Sequence, residues 1–174
     1  AAVKYTAGKN PYGYSGLGDV SVFFFFGLTG VLGSFYLYTQ QISIIGILPA
    51  LSIGFFSTGV LNVNNMRDID SDAPAGKLTI PVKIGFKHAK YYHLFLVVGG
   101  LLSILIYSLL TFNSLWQYLH LLSFPLFIYH LIKVFSVKEK KCLDPFLKQL
   151  AIATFIMVLL FGLGISSLFQ RFIN

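Results

Sequence analysis

Residues 42–72 read ISIIGILPALSIGFFSTGVLNVNNMRDIDSD. The first part, Ile42–Leu61, carries no charge and is about as long as a bilayer crossing, which takes about 20 residues. Inside hydrocarbon every backbone N–H and C=O must be satisfied within the segment, so such a stretch folds as a helix. The chain then turns sharply polar at Asn64-Asn65-Met66-Arg67-Asp68-Ile69-Asp70-Ser71-Asp72. One apolar helix delivering a dense acidic cluster to a membrane boundary is the pattern that organises the remainder.

Outward from this stretch, four more segments have the same character: Val20–Tyr38, Tyr91–Thr111, Leu115–Phe135 and Leu147–Phe169. Of the 174 residues, 56% are hydrophobic and only 11% charged, with a mean hydropathy of +0.76. A water-soluble domain carries about 25% charged residues. The expected fold is therefore all-α: a polytopic transmembrane helical bundle with five spans, forming a single membrane domain over residues 1–174. Pro49 and Pro125 fall inside two spans and predict kinks. Gly27, Gly30 and Gly33 recur every third residue and predict one smooth face for close helix contact. The 18 Phe and 10 Tyr suit lipid-facing and interfacial positions.

The formal net charge is +7. The cations lie between apolar runs rather than on a polar face, which argues against a nucleic-acid partner and for a lipid bilayer. The short connections Thr39–Gln41 and Phe112–Ser114 have no Lys or Arg. Asn62–Lys90 carries Arg67, Lys77, Lys83, Lys87 and Lys90, and the next long connection carries Lys138, Lys140 and Lys141. With five crossings these cations share one side, while Arg171 lies opposite. The positive-inside rule then makes the long loops cytoplasmic in a multi-pass membrane protein. A single cysteine, Cys142, excludes an internal disulfide. Ala1–Asp19 is polar and Gly-rich, unlike a signal peptide.

Three of the six acidic residues, Asp68, Asp70 and Asp72, lie within five positions. If the helix continues through them, Asn64, Asp68 and Asp72 share a face. Carboxylates at that spacing repel, and a hard divalent cation relieves this; Mg²⁺ typically takes one or two carboxylates and completes its shell with water and phosphate. Arg67, Lys77 and Lys83 could neutralise a diphosphate, Thr79 could add a hydroxyl, and Pro74 with Gly76 should end the helix in a turn. Asp70 points about 160° from the other two. The plain alternative is a set of solvated loop charges. A transporter would use the aspartates for a coupling cation, but such groups usually sit near the bilayer midplane. A non-catalytic membrane scaffold would need neither metal nor turnover.

Elsewhere, His120 and His130 read as internally hydrogen-bonded, and His88 and His93 as interfacial residues flanking the third span. Tyr91, Tyr92, Trp116 and Tyr118 read as interfacial anchors. Lys138–Lys141 reads as a lipid-facing charge run and Cys142 as inert.

Asn64-Asn65-x-Arg67-Asp68-Ile69-x-x-Asp72-x-x-x-Gly76-Lys77-x-Thr79-Ile80-x-Val82-Lys83-x-Gly85 resembles the second aspartate-rich motif of UbiA-type intramembrane prenyltransferases. Tyr5-Thr6-x-Gly8-Lys9-x-Pro11-Tyr12-Gly13-Tyr14-x-Gly16-Leu17-Gly18-Asp19 is similar to the segment before that family's fifth helix, with Tyr5 and Lys9 as its Tyr-x-x-x-Lys motif. The Gly-rich continuation is most similar to the 1,4-dihydroxy-2-naphthoate polyprenyltransferase branch. The resemblance implies nine helices, of which this chain matches five to nine, and a first aspartate-rich motif that it lacks. A fragment is thus expected, inactive alone. The resemblance also implies Mg²⁺ held by Asp68 and Asp72, a polyprenyl diphosphate donor and an aromatic acceptor. Catalytic positions would be Asp68, Asp72, Tyr5 and Lys9, with Asn64, Asn65, Arg67, Lys77 and Lys83 supporting the diphosphate. The implied reaction belongs to menaquinone biosynthesis, with loss of CO₂. 4-Hydroxybenzoate is an alternative acceptor.

Overall fold

The computed structural model describes residues 16–166. Five helices are long and apolar enough to cross a membrane: α1 (Gly18–Thr39), α2 (Ile47–Arg67), α4 (Ile80–Leu110), α5 (Leu115–Ser136) and α6 (Lys140–Ile165). A single turn, α3 (Ile69–Asp72), lies between α2 and α4. There is no strand among the described residues. The chain is an all-α, multi-pass membrane bundle.

The helix ends depart from the apolar runs for local reasons. Gln40 takes a left-handed conformation (φ 54°) and donates its N–H to Tyr36, closing α1. The chain then turns through residues 40–46, so α2 starts at Ile47 rather than Ile42. This places Pro49 in the first turn of α2, where its missing N–H has no partner to lose, and the expected kink there is absent. Pro125 likewise marks a junction: α5 winds as a 3-10 helix over Leu115–Ser123 and as an α-helix over Phe124–Ser136. At the start of α4, Thr79 accepts from the Val82 N–H and Pro81 sits in the first turn, a strong start signal. Gly85 (φ 80°, ψ 161°) then breaks the winding before the long part of the helix. Because α4 begins at Ile80 and not Tyr91, His93 lies well inside it and is fully buried rather than interfacial.

In α1 a π-helical segment, Phe23–Leu32, separates two α-helical ends. Its wider turns carry residues three apart to different faces. The glycine row is therefore not one contact face. A Cβ on Gly27 would lie 2.5 Å from Gly54 Cα, whereas one on Gly33 would meet nothing within 4 Å. At the α1–α2 crossing Gly27 lies against Gly54 and the Ala50 carbonyl, and Phe23 packs on Gly54 and Phe55.

Helix α2 is central, packing on α1, α4 and α6. Its Ser52 hydroxyl donates to the Gly100 carbonyl at 2.8 Å, and Phe56 packs closely against Gly100 and stacks on Phe127 at 4.6 Å. Val97, Ile104, Leu150 and Met157 complete this core. In lipid, burial from water adds no drive between helices, so close fit and hydrogen bonds hold these contacts. Phe24, Phe25 and Phe26 of α1 and Phe95 and Phe155 elsewhere face outward, as lipid-facing side chains do. At one end of the bundle the α2–α4 and α5–α6 connections meet, and most of the charged side chains among the described residues gather there.

Candidate functional site

That end is built around the acidic turn. Helix α2 closes at Arg67 and Asp68 leaves helical geometry (φ −96°, ψ 7°), so the helix does not run through the cluster as expected. The four-residue hydrogen-bond register nevertheless continues: Asp68 N–H donates to the Asn64 carbonyl at 3.1 Å and Asp72 N–H to the Asp68 carbonyl at 2.8 Å. Gly76 (φ 73°) reverses the chain, and Lys77 N–H returns to the Asp72 carbonyl at 2.9 Å. The turn at Pro74–Gly76 stands as the sequence predicts.

The side chains form two groups. In the first, Arg67 grips both Asp68 oxygens, Nε at 2.7 Å and Nη2 at 2.9 Å. The same Nη2 donates to Asn64 Oδ1 at 2.9 Å, and Nη1 reaches Asp144 at the start of α6. In the second, Lys77 Nζ sits 3.2 and 3.1 Å from the two Asp72 oxygens. Asp72 is the more buried carboxylate, with 11% of its side chain exposed against 29% for Asp68. The Arg67 guanidinium holds Asp68 below the usual carboxylate range; partial burial opposes this, and the Lys77 charge adds to it.

The other predicted residues are placed as follows. Asn65 is buried, and its Oδ1 has no hydrogen-bond partner among the described residues. Lys83 reaches the end of the N-terminal segment: a Cβ on Gly16 would lie 2.6 Å from Lys83 Nζ. Thr79 is occupied as a helix cap. Asp70 faces outward, as helical geometry indicated, and pairs with Lys140 at 2.5 Å. Tyr5 and Lys9 lie outside the described residues.

Several contributors have no signal in the local sequence. Asp144 and Lys140 clamp the α5–α6 connection onto the acidic turn. Lys90 donates to the Phe135 and Val137 carbonyls at 3.2 and 2.5 Å, closing the end of α5. Deeper in the bundle, Tyr92 is not a free interfacial anchor but donates to Asp19 at 3.1 Å, and Thr58 donates to the Asp19 carbonyl. His130 is internally hydrogen-bonded: its Nε2 lies 2.8 Å from His93 Nε2 and its Nδ1 3.1 Å from Gln149 Oε1. His120 Nδ1 meets the Gln117 carbonyl at 2.9 Å.

An apolar groove of about 410 Å³ runs between α1, α2 and α6, lined by Val22, Phe26, Val60, Leu61 and Leu147, with Ser57 and Asn64 as its polar members. Asn64 thus joins this groove to the Arg67–Asp68 group through one hydrogen bond.

No cluster of three or more His, Cys, Asp or Glu side chains suited to a metal occurs among the described residues. The candidate donors are hard oxygens, the Asp68 and Asp72 carboxylates, which Arg67 and Lys77 hold here. Mg²⁺ accepts one or two carboxylates and fills its remaining positions with water or phosphate, so this donor set fits it.

Residues 1–152 match the UbiA prenyltransferase family model. The 1,4-dihydroxy-2-naphthoate octaprenyltransferase of Haemophilus influenzae is 42% identical over 165 residues, which cover 95% of this chain and 54% of that protein. The enzyme of the same name from Escherichia coli is 41% identical, with the same coverage. That of Mycobacterium tuberculosis is 34% identical over 89% of this chain and 52% of its own length. The chain spans about half the length of the curated relatives it matches. No solved structure gave a significant match. A helical membrane bundle with an aspartate-rich turn at one end, matched over residues 1–152, belongs to the UbiA prenyltransferase family.

Proposed function

We propose that this chain supplies one half of a membrane enzyme that moves a polyprenyl group from its diphosphate to 1,4-dihydroxy-2-naphthoate, a step of menaquinone synthesis. In that reaction the allylic C–O bond of the donor breaks and diphosphate leaves. A ring carbon of the acceptor forms the new C–C bond, and the ring carboxylate departs as CO₂. The relatives whose names state this activity support the reading. The single observation that carries it is the continuity between an apolar groove and a charged cap. Asn64 lines the groove and hydrogen-bonds the guanidinium that holds Asp68.

Asp68 and Asp72 would hold Mg²⁺, which when bound neutralises diphosphate charge as it leaves. Arg67 orients Asp68 through two parallel bonds, a geometry that a lysine could not supply. Lys77, seated on both Asp72 oxygens, would offer its charge to the departing oxygens. Val22, Phe26, Val60, Leu61 and Leu147 give the prenyl chain an apolar bed that excludes water from the cation left after departure. Tyr5 and Lys9 would complete the site from the N-terminal segment, whose end at Gly16 lies against Lys83. The crowding of Arg67, Lys77, Lys83, Lys140 and Lys141 at one end supports a cytoplasmic orientation of that end in a bacterial inner membrane.

The test is an assay of the full-length protein in lipid vesicles with a polyprenyl diphosphate and Mg²⁺, offering dihydroxynaphthoate and 4-hydroxybenzoate in parallel. Prenylation of the naphthoate with stoichiometric diphosphate and CO₂ is expected. Turnover of hydroxybenzoate alone would overturn the acceptor, and EDTA-resistant turnover would overturn the metal.

A further inference from the structure

The two aspartates are held by cations of very different freedom. Arg67 is locked, with Asn64, Asp68 and Asp144 all on its guanidinium. Lys77 has one side-chain partner among the described hydrogen bonds, the Asp72 carboxylate, and grips both of its oxygens. It is delivered there by the Gly76 reversal (φ 73°), where nothing crowds the backbone within 4 Å. An ammonium on a flexible stem over a largely buried carboxylate occupies the place a metal ion would take on that carboxylate.

We infer that Lys77 is a placeholder that closes Asp72 to free divalent cations and opens it only when a diphosphate anion draws the ammonium away. The inference rests on the reading of Asp68 and Asp72 as a metal–diphosphate site and adds a rule for what that site accepts. Buried carboxylates are stable only when paired, so Asp72 keeps Lys77 while no other cation is available. Bare Mg²⁺ must displace a resident cation and leave Lys77 unpaired beside it. When diphosphate is present, Lys77 exchanges one anion for another, and Asp72 is released without losing charge balance. The site therefore selects the metal and diphosphate together over either one alone. Arg67 has no such part: its hold on Asp68 stays in both states.

The experiment measures Mn²⁺ binding to the full-length protein by electron paramagnetic resonance, with and without inorganic pyrophosphate. Wild-type protein is expected to bind Mn²⁺ on the order of tenfold more tightly when pyrophosphate is present, after correction for the complex in solution. Lys77→Gln should bind Mn²⁺ alone several-fold more tightly than wild type and lose most of that coupling. Lys77→Arg, whose fork grips a carboxylate more firmly, should bind Mn²⁺ alone more weakly than wild type. Unchanged or weaker binding in Lys77→Gln, or unchanged or tighter binding in Lys77→Arg, overturns the placeholder. Asp72→Asn separates the two levels. If it abolishes Mn²⁺ binding while the Lys77 variants behave as wild type, the placeholder fails and the metal site stands. If it leaves Mn²⁺ binding untouched, both fail.

Discussion

Arg67 shows how a residue can be legible as a charge and illegible as a contact. Beside Asp68 in sequence it reads as a diphosphate ligand, yet its donors are taken by Asn64, Asp68 and Asp144. The last of these lies on α6, and no local spacing could announce it. Arg67→Lys keeps the charge but loses the parallel bonds, and should destabilise the cap by about 1–2 kcal/mol, read as a lower unfolding temperature in detergent. The pH response of this pair has a definite sign. Asp68 is depressed below its ordinary value of about 3.9, so its contribution is complete above that value and is lost as pH falls through the lower, folded one. The stability gap between wild type and Asp68→Asn should stay flat from about pH 5 to 8 and close only below about pH 4. Asn65 enters the sequence reading only as a support for the diphosphate, and its Oδ1 has no partner among the described residues.

At the scale of elements, the number of spans followed from hydropathy because lipid allows no other backbone solution. The boundaries did not, since Gln40, Thr79 and Gly85 set them through local backbone geometry that an apolar run does not encode. The π-winding of Phe23–Leu32 was equally hidden, for a segment apolar on all sides has no periodicity to betray its pitch. That winding decides which glycine matters. Gly27→Ala should cost about 1–3 kcal/mol because its Cβ would meet Gly54 backbone, whereas Gly33→Ala should be close to neutral. Thermal unfolding of the two variants side by side checks this. The buried pair His93 and His130 joins α4 to α5, and Gln149 extends it to α6. His130→Leu leaves the buried His93 ring and the half-buried Gln149 amide without this partner and should cost about 1–3 kcal/mol. Adding His93→Leu should cost less than the sum of the single changes, as a double-mutant cycle will show.

Across the whole molecule, the two charged connections are a single structure. Arg67 to Asp144, Asp70 to Lys140, and Lys90 to the end of α5 bind residues far apart in sequence into one cap over the acidic turn. The positive-inside pattern had already placed these loops on one side of the membrane. It could not show that Lys140 pairs with Asp70, so Lys140 read as lipid-facing. The family motif, by contrast, was visible because Asn64, Arg67, Asp68, Asp72, Lys77 and Lys83 fall within one unbroken stretch. The central claim is that Asp68 and Asp72 bind the diphosphate through magnesium. The direct measurement is single-turnover diphosphate release by the full-length protein at varied Mg²⁺, comparing wild type with Asp68→Asn and Asp72→Asn. Both variants should lose at least about 100-fold in release rate, equivalent to about 2.7 kcal/mol of transition-state stabilisation. Release at the wild-type rate and with the wild-type Mg²⁺ dependence in both would contradict it.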